Sequence, residues 1–357
     1  MTIDRVQKLR KAMNDAGIEA LLISSPYNRT YISGFTGSAG LVLLTHEKSW
    51  FLTDFRYRVQ AAQQVHGFDM VEYGAEPMES VRELLTERGV GKLAFEQEHV
   101  TYGQYLSWTS VLAGISLQPV SSLVEELRMY KDESELTIMA EAAELADRTF
   151  AHITGLIRPG MKELDIALEM EVFMRSHGAT SSSFDTIVAS GERSALPHGV
   201  ASSRIVGTNE FVKLDFGALY NGYCSDITRT VVVGKSTDKH REIYNIVLEA
   251  QLHALEHIKP GMTGREADAL ARDVIAKYGY GDSFGHGTGH GLGMEVHESP
   301  RLSKMSDTVL QPGMVVTVEP GIYIPGFGGV RIEDDIVLTD SGISVLTSSP
   351  KDLIILG

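Results

Sequence analysis

Ile157-Arg158-Pro159-Gly160-Met161 returns 101 residues later as Ile258-Lys259-Pro260-Gly261-Met262. Each copy leads into an amphipathic helical pattern, with Leu164, Ala167, Leu168 and Val172 on the apolar side of the first and Ala267, Leu270, Ala271 and Val274 on that of the second. Farther on, Val212-Lys213-Leu214-Asp215-Phe216-Gly217 lines up with Val316-Thr317-Val318-Glu319-Pro320-Gly321, and Asp226 with Glu333. A period of about a hundred residues is too long for a solenoid. It predicts two fused half-domains that face each other and place acids at equivalent points.

The first acidic pair sits on a hairpin. Asn221-Gly222 between two β-rich runs is a two-residue turn in which both residues need positive φ. That turn sets Tyr220 against Tyr223 and Asp215 against Thr228, so Asp215 and Asp226 become diagonal neighbours on one face, roughly 7–8 Å apart at Cα. Leu214, Phe216 and Ile227 take the opposite, apolar face. By the repeat, Glu319 and Glu333 are the second pair, joined by the Gly-rich loop Pro325-Gly326-Phe327-Gly328-Gly329. Four facing carboxylates repel and are costly to bury unpaired, whereas two divalent cations neutralise them. The bland reading is two unrelated surface hairpins with solvated acids, and the repeat argues against it.

Residues 284–298 read Phe-Gly-His-Gly-Thr-Gly-His-Gly-Leu-Gly-Met-Glu-Val-His-Glu. Glycines flanking His286 and His290 let backbone pack close while the imidazoles point into a site. One imidazole with four carboxylates suits Mn²⁺, Co²⁺, Fe²⁺ or Zn²⁺ and lacks the thiolates of a structural zinc site. His297 follows His290 by seven residues, and His198 lies upstream in Pro197-His198-Gly199. Other candidates carry less. His253 and His257 do not fit the zinc-protease order and read as a helix face. Cys224 has no catalytic-thiol setting and reads as packing. The Gly34–Gly40 stretch lacks the Lys of a phosphate loop.

The rest of the chain sets the context. Residues 3–16 (a helix stopping at Gly17), strands at Ala20–Ile23, Leu41–Leu44 and Leu93–Phe95, and helices at 77–88 and 102–113 predict an α/β N-terminal domain. We assign it residues 1–122 and a second, larger domain 123–357, with Lys131 and Asp132 interrupting the periodic stretch between Leu123 and Ile157. With 357 residues, 47 acids against 32 bases and a formal charge of −15, the chain is a poor partner for nucleic acid. It has one cysteine, no signal-peptide pattern and no long apolar run. The expected setting is cytoplasmic and not membrane-bound.

The set Asp215, Asp226, His290, Glu319 and Glu333, with His198, Val296-His297-Glu298 and Gly329-Val330-Arg331-Ile332-Glu333, resembles the dinuclear site of the pita-bread metallopeptidases, in their aminopeptidase P and Xaa-Pro dipeptidase (prolidase) branch. The resemblance implies an α/β creatinase-like N-terminal domain followed by an α+β pita-bread domain with two pseudo-symmetric halves. It further implies that Asp226 and Glu333 bridge two metal ions, with Asp215 on one and His290 and Glu319 on the other. His198 and His297 would bind substrate and stabilise its carbonyl oxygen. His286 would line the pocket, Glu319 would shuttle a proton, and Arg331 would order the carboxylates. Mn²⁺ is the implied metal, with Co²⁺, Zn²⁺ and Fe²⁺ as alternatives. Short proline-containing peptides are the implied partners, and a homodimer or higher homo-oligomer the implied assembly. Creatinase-like C–N hydrolases and non-catalytic pita-bread binding modules share the scaffold but lack the ligand set. Methionine aminopeptidases share the ligands but usually lack so large an N-terminal domain.

Overall fold

A computed structural model describes residues 2–357, which form two compact units that divide between Arg128 and Met129. The periodic run expected from Leu123 to Ile157 is two helices, Glu125–Arg128 and Glu133–Thr154. Asp132 caps the second, its carboxylate accepting from the amides of Ser134 and Glu135.

The first unit is built on a mixed six-stranded sheet. Ala20–Ile23 lies at its centre, antiparallel to Leu41–Thr45 and parallel to Lys92–Glu96. Leu22, Leu43, Trp50, Leu52, Leu93 and Phe95 pack into the core on one side, against Val81 and Leu85 of helix Pro77–Glu87. Ser49–Thr53, Asp69–Glu72 and Ser116–Val120 complete the sheet.

The second unit contains the predicted repeat. A long helix and a shorter one, Glu133–Thr154 and Glu163–Ser176, recur as Asp238–His257 and Gly264–Lys277. Each half has its own core. Phe150, Ile166, Met170, Leu214, Phe216 and Ile227 belong to the first, and Val247, Ala267, Ala271, Val316, Val318 and Ile336 to the second. The sheets of the two halves are stitched together where the Glu333 amide donates to Thr228 O (3.1 Å) and the Arg331 amide to Thr230 Oγ1 (3.2 Å).

One helix face differs from expectation. In Glu163–Ser176 the buried residues are Glu163, Ile166, Met170 and Met174, while Leu164, Leu168 and Val172 are exposed. The helix carries two apolar stripes, and a carboxylate chooses between them. Glu163 is wholly buried and accepts from Ser190 N (2.8 Å), Ser190 Oγ (2.7 Å), Ser202 N (3.1 Å) and Ser202 Oγ (2.6 Å), besides pairing with Arg193. The rotation that brings Glu163 onto these donors turns Ile166, Met170 and Met174 inward. The second helix buries Ala267 and Ala271, as its pattern predicts.

Candidate metal centre and active site

Strand Glu210–Phe216 alternates as the hairpin reading requires: Val212, Leu214 and Phe216 enter the core of the first half, leaving Lys213 and Asp215 on the other face. Its pairing with Ile227–Val233 places Asp215 against Thr228, and Tyr220 faces Tyr223. The turn between has φ of 48° at Asn221 and 84° at Gly222, the mirror-image geometry that the Asn-Gly pair permits. In the second half Val318 pairs with Asp334, so that Glu319 and Glu333 are the next residue on each strand.

His290 lies on the short strand Gly289–Gly291. A Cβ on Gly289 would stand 1.9 Å from Thr317 O, so only glycine lets this strand come so close to the one carrying Glu319. A carbonyl can only accept, so the contact of His290 Nδ1 with Gly291 O (3.1 Å) puts the proton on Nδ1. The bare Nε2 then faces Asp226 Oδ2 at 3.7 Å and Glu319 Oε1 at 3.5 Å. Burial holds the imidazole neutral, with its pKa lowered to about 3. This is the tautomer and charge state of a metal-binding histidine.

Asp226, His290 and Glu333, all buried, each offer a donor atom within 4.8 Å of the others. Asp215 and Glu319 flank this triad and are tied to Arg331, Asp215 by a close ion pair and Glu319 Oε2 at 3.8 Å from Nε. Burial, reinforced by the neighbouring carboxylates, drives the Asp226 and Glu333 carboxyls well above the usual carboxylate range. Burial also raises Glu319 to about 7. One Arg331 guanidinium cannot balance four carboxylates. Asp226 Oδ1 is buried without a hydrogen-bond partner among the described residues. An orphaned carboxylate oxygen beside two more oxygen donors and a bare imidazole nitrogen fits divalent cations.

These residues line a cavity of about 580 Å³, together with Pro197, His198, His286, His297, Arg301, Arg331 and Phe184. His198 and His297 are exposed at its mouth, and the His297 ring meets that of His290 edge-on at 4.4 Å. His286 is held from both ends, by Gly287 O at Nδ1 (2.8 Å) and Tyr323 Oη at Nε2 (2.7 Å). Burial first, then Arg331, lowers its pKa to about 3. The neutral ring accepts the tyrosine proton, and Tyr323 Oη accepts in turn from Arg331 Nη1 (2.8 Å).

Four participants are given no role by the sequence reading. Tyr323 links His286 to Arg331. Its signal is available, because Gly321 pairs with Arg331 and Tyr323 therefore shares a face with that arginine. Thr228 Oγ1 donates to Glu333 Oε2 at 2.5 Å, and it too lies on the legible face of the hairpin. Asp335 accepts from the Asp226 amide at 2.9 Å, which nothing local in the sequence predicts. Lys213 is the fourth. Of the weaker candidates, His253 bonds to Leu270 O on the neighbouring helix and His257 to His253 O on its own, and Cys224 Sγ donates to Met294 O at 3.7 Å.

Residues 137–340 match the family model for metallopeptidase family M24, and residues 5–130 that for the creatinase/prolidase N-terminal domain. The chain belongs to metallopeptidase family M24. An uncharacterized peptidase of Bacillus subtilis (strain 168) is 55% identical over 352 residues, spanning 99% of this chain and 100% of the relative. Among solved structures, an Xaa-Pro dipeptidase from Bacillus anthracis is 54% identical with a TM-score of 0.98, each chain covered in full. An X-Pro aminopeptidase from Thermotoga maritima MSB8 is 40% identical with a TM-score of 0.91, covering 97% of this chain and 99% of the other. The M24 chain is thus a metallopeptidase with the creatinase-type N-terminal domain and the pita-bread catalytic fold, and its family implies divalent metal ions. No helix among the described residues is long and apolar enough to cross a membrane.

Proposed function

We propose that this M24 enzyme removes the N-terminal residue from short peptides whose second residue is proline, using two divalent cations, Mn²⁺ by preference. Asp215, Asp226, His290, Glu319 and Glu333 hold the cations. Co²⁺, Zn²⁺ and Fe²⁺ are accommodated by the same oxygen-rich donor set. The observation that carries the reading is the single cavity in which a cation-demanding carboxylate cluster meets three further histidines, His198, His286 and His297. When bound, the cations supply an acidified water and a Lewis acid for the scissile carbonyl.

The chain's own residues supply the rest. Glu319 takes up the water's proton and passes it to the departing proline nitrogen. His198 and His297, at the mouth of the cavity, donate to the substrate carbonyl oxygen as negative charge develops there. His286, neutral and braced by Tyr323, contributes one wall. Arg331 holds Asp215 in place and keeps the carboxylates from swinging apart. An Xaa-Pro bond has no N–H to offer, so recognition falls on the proline ring and the peptide termini. Creatinase-like hydrolysis or a binding role without catalysis would not need the ligand set retained here. The same reading makes the enzyme a cytoplasmic homodimer or larger homo-oligomer, with no membrane or nucleic-acid partner.

The likeness to the Bacillus anthracis dipeptidase exceeds that to the Thermotoga aminopeptidase, which favours the dipeptide as substrate. Hydrolysis of Ala-Pro, Ala-Pro-Ala and Ala-Ala by Mn²⁺-loaded protein tests this. Ala-Pro should be cleaved fastest and Ala-Ala scarcely at all. Failure of the folded, metal-loaded chain to cleave either proline peptide would overturn the assignment.

A further inference from the structure

Lys213 is fully buried in the middle of strand Glu210–Phe216, on the face that carries Asp215. A buried amino group is costly unless its hydrogen bonds are made. Those of Lys213 go to backbone: Nζ donates to Leu196 O at 2.6 Å and to Pro197 O at 3.1 Å, and lies 5.1 Å from the centroid of the Tyr323 ring. Two N–H groups make both bonds, so the arrangement is the same for an ammonium or a neutral amine.

The two carbonyls belong to the turn that presents His198. Leu196 O also accepts from the Gly199 amide at 3.2 Å, closing the turn around the histidine. Pro197 O also accepts from Arg331 Nη1 at 3.2 Å. His198 itself is exposed, and its side chain has no hydrogen-bond partner among the described residues. Its position over the cavity is therefore set by its backbone, and that backbone is held from below by Lys213 and Arg331. Arg331 also serves the carboxylates, whereas both hydrogen bonds of Lys213 go to this turn.

We propose that Lys213 is a positioning residue that fixes the Leu196–Gly199 turn and thereby holds His198 where it meets the substrate carbonyl. The inference rests on the reading of His198 as a substrate-binding residue. Displacing that imidazole by about 1 Å is enough to lose on the order of 10²-fold in rate.

The test is a double-mutant cycle of Lys213→Met and His198→Ala in the full, Mn²⁺-loaded chain, with metal content measured on every variant. Lys213→Met should lower kcat/KM for Ala-Pro by about 10- to 100-fold, keep the wild-type metal stoichiometry, and add almost nothing in the His198→Ala background. An equal loss in both backgrounds would overturn the proposal, as would loss of metal. Lys213→Gln, which keeps two N–H donors on a shorter stem, replaces Lys213→Met if the latter fails to fold, and should lie between it and wild type. Spectra of ¹³C-labelled histidine in the Zn²⁺-loaded chain, where the cation is diamagnetic, give a readout independent of turnover. The His198 signal, assigned by its loss in His198→Ala, should shift or broaden in the Lys213 variant while that of His290 stays put. An unchanged His198 signal contradicts the inference. Absence of Ala-Pro hydrolysis by the wild type contradicts the functional reading instead.

Discussion

The two halves of the catalytic unit each carry an acid pair on the same kind of hairpin, Asp215 and Asp226 in the first and Glu319 and Glu333 in the second, yet they use their loops differently. In the first half, the turn at Leu196–Gly199 ends in an exposed His198 held only through its backbone. In the second, the run Phe284–Gly291 buries His290 and braces His286 against Tyr323. The anchors differ accordingly. Glu163 ties the first loop through Ser190 and Ser202, and Asp268 ties the second through Thr288 N (2.9 Å) and Arg272. The repeated hairpin supplies four carboxylates, Asp215 and Asp226 from one half and Glu319 and Glu333 from the other. On the proposed reading, the differing loops give one half the buried imidazole for metal and the other an exposed imidazole to meet substrate.

The carboxylates should show the largest effect, and from both halves alike. Asp226→Ala in the first half and Glu333→Ala in the second should each lower kcat/KM for Ala-Pro by at least about 10³-fold and reduce bound Mn²⁺, with the far-ultraviolet circular dichroism unchanged. A variant that turns over normally after metal depletion would break the symmetry on which the assignment depends.

The second prediction concerns close packing in the second loop. Gly289→Ala puts a Cβ 1.9 Å from Thr317 O, whereas a Cβ on Gly285 meets nothing within 4 Å. Gly289→Ala should cost about 3 kcal/mol or more, and Gly285→Ala should be close to neutral in urea unfolding. Similar midpoints for the two would contradict the packing argument.

Third, the anchor of the first loop can be cut. Glu163→Ala strands four hydrogen bonds and the partly exposed Arg193, and should lose on the order of 2–3 kcal/mol. Activity should fall as well, because the loop that presents His198 loosens.

The smallest effect separates the imidazoles by pH. His286 is held down to about 3, against about 6.5 in an unfolded chain. Below pH 6.5 the unfolded state takes up the proton and the folded state does not, so stability falls as pH drops from 6.5 towards 3, by at most about 1.4 kcal/mol per pH unit. Above 6.5 this group contributes nothing. His286→Gln should flatten the loss between pH 6.5 and 5 in thermal melts, and an unaltered slope would contradict the buried, neutral assignment.

The acid pairs are legible in the sequence because Asn221-Gly222 fixes the register of its hairpin, and a fixed register assigns every side chain to a face. The repeat then carries the result to Glu319 and Glu333. The outward face of helix Glu163–Ser176 is not legible, since its two apolar stripes are equivalent until the buried Glu163 selects one. Lys213 is hidden for a related reason: between Val212 and Leu214 it reads as an ordinary solvent-side residue, and its partners lie in a loop that local pattern does not bring near. In the first unit, Asp69–Glu72 escapes notice because it is a polar edge strand, defined by pairing with Ser49–Thr53 rather than by alternation.

The central claim, that four carboxylates and one imidazole from two halves form a cation site, is tested most directly by metal stoichiometry. Folded protein stripped with chelator and titrated with Mn²⁺ should bind two ions per chain and regain Ala-Pro hydrolysis in step with the binding. A folded chain that takes up no Mn²⁺, Co²⁺ or Zn²⁺ would contradict the account.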